Sequence, residues 1–459
     1  MFKIIFYKEA IDHLTRFRFV FAFLLCSVLV ITSIALRALD HKEKLANFST
    51  STQVFDNLAR NHQDSLYLGI EGAKIVRRPQ ILSSLIEGVT DIVPDVLTVS
   101  IIASRLRDET TGESPLKRAF ESLDYNFIIR LLMSLLALLF SYDAIAGERE
   151  RGTLRAVLAN SLPRSQLLLA KMSAGFTCLM IPLVFSTLAG LLLVHIFSGQ
   201  SLSGDDWQRF GLIFLASSLY TGLFFFVGLL LSIVCRGSKT ALLSSFFVWI
   251  ILILIVPNLS VLLAGYIRPV PSKVEMLERK RLIEAEEEDR FVMRMIKTGN
   301  EEGGEAVARD QSDRGFEMAT NVSARLQSVE DDYLKQLQRQ SSLAEGLSLI
   351  SPASAYSYLV MDLAGTGLRS ETNLRRQLQN YSPAFIRYIK SKIEGEPEIP
   401  DPTNSISVSD MPRFQYQAES LSESMNGSVG YLSQLLLLGS ALVGGCFLAF
   451  SRSDVRDEF

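Results

Sequence analysis

Few side chains in this sequence stand at a spacing that supports covalent or metal chemistry. His13, His41, His62 and His195 are scattered, with no His-x-x-Glu-His and no paired spacing, so no metal-ligand set is expected. A lone histidine such as His195, near the end of an apolar block, reads as an interfacial residue rather than a ligand. No Gly-x-Ser-x-Gly elbow and no Cys–His arrangement offer a nucleophile. Gly237-Ser-Lys-Thr240 resembles the end of a phosphate-binding loop, but Lys239 follows a serine where that loop needs glycine, and the segment reads as a tight turn between apolar blocks. Asp362-Leu-Ala-Gly-Thr-Gly367 has glycines two apart with neither a preceding strand nor a following helix evident, so it reads as a helix end and turn.

One charged segment carries more information: Tyr142-Asp-Ala-Ile-Ala-Gly-Glu-Arg-Glu-Arg-Gly-Thr-Leu154, followed by Pro163, Arg164 and Lys171. Asp143 ends an apolar block, and Glu148, Arg149, Glu150 and Arg151 cannot sit in lipid. Gly152 breaks the helix, Thr153 can cap the next one, which restarts over Arg155–Asn160, and Pro163 ends that piece. The result is a short charged helix presented to water between two apolar blocks. Taken by residue type alone, such a run reads as an ordinary solvated loop.

The blocks that hold it decide the class. The chain has 459 residues, 48% hydrophobic and 21% charged, with 46 basic against 49 acidic residues. The near-neutral balance excludes a basic nucleic-acid binder and an acidic disordered chain. Six blocks approach or exceed the roughly 20 apolar residues a crossing helix needs: 19–36, 127–142, 172–197, 210–234, 241–266 and 429–450. The first is long, follows a charged lead and lacks a small-residue cleavage site, so it is expected to be a retained span. The fold class expected is an all-α membrane protein with six transmembrane helices and a mainly helical extracytoplasmic domain built from two long outer loops.

Lysine and arginine near the span ends set the orientation. Lys3, Lys8, Arg16, Arg18, Arg149, Arg151, Arg155, Arg164, Lys171, Arg236, Lys239, Arg452 and Arg456 fall inside if both termini are cytosolic. The short loop 198–209 sets one arginine against Asp205 and Asp206. That leaves 37–126 and 267–428 outside and makes 143–171 a cytosolic loop. Cys26, Cys178, Cys235 and Cys446 all lie in or at the inner ends of spans, so no disulfide holds the outer part.

Residues 1–18 alternate Phe2, Ile4, Ile5, Phe6, Ile11 and Leu14 with Lys3, Lys8, Glu9 and Asp12, as an interface helix does; a plain extension of the first span is the other reading. Within 267–428, 272–297 is strongly helical, Gly299, Gly303 and Gly304 break it, and Val322, Leu326, Val329, Tyr333 and Leu337 make a coiled-coil-like seam. We expect an antiparallel helical hairpin, with two surface helices of a globular domain as the alternative, then a helix over 373–393. Pro397, Pro400, Pro402 and Pro412 form a stiff linker back to the membrane. The first outer region mixes helical patches with a β-prone run at 95–103, and its fold is not evident from the sequence.

The Asp143…Glu148-x-Glu150-x-Gly152-Thr153-Leu154…Pro163…Lys171 pattern resembles the signature loop of ABC type-2 transporter permease subunits, in the branch of nitrous-oxide-reductase maturation and gliding-motility permeases. The six-span layout matches over nearly the whole chain, and Leu349-Ile-Ser-Pro-Ala-Ser-Ala-Tyr356 with Ala364-Gly-Thr-Gly367 resembles the stretch these permeases carry before their last span. The outer insertions are larger than in the compact members. The resemblance implies a coupling helix made of Asp143, Glu148, Arg149, Glu150, Arg151, Gly152, Thr153 and Leu154 that inserts into a separate ATPase subunit. It implies two such subunits carrying ATP and magnesium, a second or paralogous permease, a bacterial cytoplasmic membrane, and no cofactor or catalysis on this chain. The large outer region suggests a bulky substrate or an envelope protein.

Pro182 and Pro257 each remove a backbone hydrogen bond inside a span, freeing the carbonyls of Cys178 and Ile253 as candidate hinges. Ser440-x-x-x-Gly444 and Ala441-x-x-x-Gly445 offer a close-packing face on the last span. No span has an acid in its middle, which argues against a proton- or sodium-coupled carrier. A membrane-anchored sensor or scaffold whose outer domain binds a protein without ATP is the rival; recovery of an ATPase with the chain separates the two.

Overall fold

The computed structural model describes residues 2–61, 69, 72–88, 96–100, 123–159, 163–198, 202–299, 305–395 and 410–452. Among these, six helices are long and apolar enough to cross a membrane, and the chain is a multi-pass membrane protein.

A lead helix, Phe2–Thr15, bends at Arg16 into the first span, Phe17–Asn61. That span continues well past its lipid-length stretch, so the first long loop begins as an extension of it. The second span joins Tyr125–Phe127, a π-helical turn at Ile128–Met133 and Ser134–Ser141. The third is Arg164–Ser198 and the fourth Gly204–Val234. The fifth runs Ser238–Ile250, a second π turn at Ile251–Ile255, and Val256–Ile267; the sixth is Leu421–Arg452. Ser203 opens the fourth span with a capping box: its hydroxyl accepts from Asp206 N at 3.2 Å while the Asp206 carboxylate takes Ser203 N at 2.9 Å.

Side chains satisfy the backbone where a π turn disturbs it. In the second span the Arg130 carbonyl accepts from Ser134 Oγ (2.6 Å) and from the Tyr220 hydroxyl (2.8 Å), and Trp249 Nε1 donates to Ser134 Oγ (2.9 Å). These bonds tie the second, fourth and fifth spans together. Glycine allows the closest helix approaches: a methyl at Gly190 would overlap Ile34 of the first span, and one at Gly228 would overlap Ser141 of the second. The small-residue face of the last span is used less within this chain. Gly439 and Gly444 meet nothing, and Gly445 sits beside Leu230 at van der Waals distance.

The helix Pro352–Ala364 packs inside the bundle, although by sequence it falls in the second outer region. Tyr356 stacks on Tyr220 at 4.5 Å and shares a 2.9 Å hydrogen bond with Ser217, and Ser357 Oγ donates to Asn126 Oδ1 at 3.1 Å. At 13 residues it is too short to register as a span. It ends at Gly365 with φ +70°, so the glycine phrase is a helix end, as expected. Arg209 binds this helix to both neighbouring spans, donating to the carbonyls of Leu363 (3.0 Å) and Glu419 (2.6 Å) and pairing with Asp205 (2.7 Å).

Beyond the bundle, Lys273–Gly299 and Glu305–Ser348 pack antiparallel. Ile283 meets Val322 and Leu326, Lys280 pairs with Glu330, and Arg325 pairs with Glu286 and Glu287. The apolar seam is shorter than its periodicity suggested: Val322 and Leu326 are buried, Val329 is half-buried and Leu337 is exposed. The two long loops then join in one small body. Strands β1, Ala73–Val76, and β2, Val96–Val99, pair antiparallel with Ala73 opposite Val99. Their faces pack on Leu374, Leu378, Phe385 and Ile389 of the helix Leu368–Gly395. Most of the proline-rich linker, like the glycine turn of the hairpin at 300–304, lies outside the described residues.

Candidate functional site

The charged segment between the second and third spans folds into a short helix, Ala146–Glu150, a glycine elbow, and a second helix, Thr153–Ala159. Its start is fixed by the fourth span: Ser232 Oγ accepts from both Ile145 N and Ala146 N at 3.0 Å. Gly152 has φ +72° with no neighbour within 4 Å of where a methyl would stand, so the elbow uses the left-handed conformation in open space. The Thr153 hydroxyl donates back to the Glu148 carbonyl at 3.2 Å. It therefore closes the first helix.

The four consecutive charges point to different places. Glu148 turns inward to Lys171 Nζ at 2.7 Å, and Lys171 also reaches Glu9 of the lead helix at 3.0 Å. The lysine side chain is 3% exposed, so this is a buried acid–base–acid cluster. Arg149 donates to the carbonyls of Ile233 (3.1 Å) and Cys235 (3.0 Å), satisfying the end of the fourth span where the helix dipole is negative. Glu150 accepts from Ser238 Oγ (2.7 Å) and Ser238 N (3.3 Å), covering the positive start of the fifth span. Arg151 is exposed. Three of the four charges thus join the loop to the lead helix and to the third, fourth and fifth spans.

A second link runs through Asp143. Arg18 donates to its carboxylate at 3.0 Å and to the Tyr142 hydroxyl at 2.7 Å, with Arg16 3.5 Å away. His13 lies beside it, stacked on Phe140 at 5.9 Å. Burial pushes its pKa down, Arg16 pushes the same way, and Glu9 and Asp143 oppose them. At the far end of the loop Arg164 donates to the Ser451 carbonyl at 3.2 Å, reaching the end of the sixth span.

The eight residues singled out from the sequence therefore divide. Glu150, Arg151, Gly152 and Thr153 form an exposed tip, with Arg155 next to it; Asp143, Glu148 and Arg149 are half-buried mounts; Leu154 is buried in the bundle core. Sequence reasoning missed Glu9, Ser232 and Ser238 as partners, because nothing local marks a contact between residues far apart in the chain. Lys171 stood in the pattern, but its two acids were not readable from it. Of the two prolines, Pro257 lies two residues past the end of the π turn in the fifth span, and the Pro182 carbonyl accepts from Ser186 Oγ at 2.6 Å. Among the described residues, no group of three or more His, Cys, Asp or Glu is placed to hold a metal ion.

The family model described as ABC-2 family transporter protein matches residues 4–454. A protein from Stutzerimonas stutzeri named as the probable ABC transporter permease protein NosY is 33% identical over 125 residues, covering 27% of this chain and 45% of that protein. The chain thus spans less than half the length of that relative.

Proposed function

The chain belongs to the ABC-2 family of transporter proteins, and from that premise we propose that it is the transmembrane subunit that receives the stroke of a separate ABC ATPase at the Glu150–Thr153 tip. The observation that carries this reading is the mounting of the tip. Exposed residues stand on a helix whose charges are fixed to the lead helix and to three spans. A push on a solvated loop dissipates in the loop, whereas a push on this one displaces helix ends. Buried charge pairs resist separation, because either partner left alone is strongly unfavourable.

Two ATPase subunits carrying ATP and magnesium would face two permeases, this chain and a second copy or paralogue. The least buried spans, the fifth and sixth, with their open Gly439 and Gly444, leave apolar surface for that neighbour or for lipid. The tip lies at the basic end of the bundle, which supports a cytosolic side for it and for both termini, in a bacterial cytoplasmic membrane. The hairpin and the small α/β body then face outward, sized for an envelope partner or a bulky export substrate. Pro182 and the π turn before Pro257 are the places where the spans would flex.

The test is purification of the tagged chain from its own membranes in mild detergent. An ATP-hydrolysing subunit that copurifies, and is lost when Arg151 and Arg155 are both changed to Glu, supports the assignment. Recovery of the folded chain with no ATPase returns it to an anchored scaffold.

A further inference from the structure

Where the first span leaves its uncharged stretch, it meets the segment after β1 across a cavity of about 50 Å³. Arg37, Asp40, His41 and Lys44 line it from the span, and Arg77 and Glu87 line it from the other side. The space exceeds what a single water needs and suits one phosphate-sized group.

The cavity has its own unmet chemistry. His41 is 2% exposed, and neither Nδ1 nor Nε2 has a hydrogen-bond partner among the described residues. Buried ring nitrogens are nearly always bonded, so this imidazole is built to meet something that enters the cavity. The lining charges say what. Glu87 is matched by Arg37, and Asp40 by Lys44 at 3.2 Å. Both carboxylates are therefore answered within the lining, and the charge in excess is Arg77, whose guanidinium lies over the Tyr416 ring, 5.8 Å from its centroid. A cation in surplus beside an unpartnered buried imidazole favours an anion over a second cation.

We infer that this cavity binds a phosphate-type anion, with His41 and Arg77 as its donors. The anion brings the acceptor oxygens that His41 lacks and neutralises the surplus charge. Two sources share that chemistry: the headgroup of an anionic lipid, at the level where the first span leaves the apolar layer, and a soluble phosphate group. The inference stands apart from the coupling reading, since no residue of the charged loop takes part.

The experiment uses the full chain, with His41→Phe and Arg77→Gln as variants. In one arm, inorganic phosphate is titrated in neutral detergent at constant ionic strength and thermal unfolding is followed. In the other, lipid retention is counted by native mass spectrometry after reconstitution with phosphatidylglycerol in phosphatidylcholine. The expected result is saturable binding in at least one arm, weakened about tenfold in each variant, the effect of one charge-assisted hydrogen bond. Response to phosphate alone assigns a soluble group, and retention of one phosphatidylglycerol per chain assigns the headgroup. Arg77 is half-exposed, so Arg77→Gln keeps the test decisive if His41→Phe does not fold. No binding in either arm, or binding equal in wild type and variants, overturns the proposal.

Discussion

Lys171 holds Glu148 by an ion pair of 2.7 Å in a site where the lysine side chain is only 3% exposed. Glu9 completes the site from the lead helix at 3.0 Å. Lys171→Met leaves two carboxylates facing each other in a buried space, and breaking such a pair costs about 3–5 kcal/mol. We expect a clear fall in thermal stability, and partial recovery when Glu148→Gln is added. A double-mutant cycle by thermal unfolding checks this; strictly additive losses would mean that the two side chains do not interact.

Gly152 separates backbone requirement from contact. With φ +72° and open space around it, Gly152→Asn should be tolerated better than Gly152→Leu, because asparagine visits the left-handed region and leucine pays about 1–2 kcal/mol there. The folded yield of both should stay near wild type, while ATPase retention falls further for the leucine variant. Equal retention in the two would mean that the elbow geometry does not matter.

His13 gives the lead helix a pH dependence with a defined sign. Burial holds its folded pKa below the ordinary 6.5. As pH drops through 6.5 the unfolded chain takes up a proton that the folded chain refuses, so stability falls on acidification and is flat above 7. His13→Gln should flatten the profile of melting temperature between pH 5 and 7. A slope unchanged by the substitution would assign the acid sensitivity elsewhere.

The spans were legible because a long apolar run has one physical solution in lipid, and the hairpin was legible because its apolar positions step by three and four. The helix Pro352–Ala364 was not, since 13 residues satisfy no membrane rule and its burial depends on Tyr220 and Ser217 arriving from another span. The pairing of β1 with β2 against Leu374 and Phe385 brings together segments from two loops, and no local pattern states that. In the charged loop the residue types alone read as a solvated run, and docking is what the resemblance to the permease signature loop implies. Only the fold shows that Glu148 and Arg149 face inward to Lys171 and the fourth span's carbonyls, leaving the exposed surface to their neighbours.

Orientation has a direct check. In a chain without its native cysteines, a cysteine at Lys335, which lies in the hairpin and is 68% exposed, should react with an impermeant maleimide on intact cells. One at Arg151 should react only after permeabilisation. The reverse pattern would invert the topology and remove the tip from the cytosol.

If the Glu150–Thr153 tip receives the ATPase stroke, it touches that subunit. A photo-crosslinking residue placed at Thr153 in the assembled complex tests it most directly, with the same group at Lys335 as control. The expected adduct at Thr153 contains the ATP-hydrolysing subunit, is absent from Lys335, and changes in yield when ATP and magnesium are added. An active complex that gives no ATPase adduct at Thr153, or gives one equally at Lys335, would contradict it.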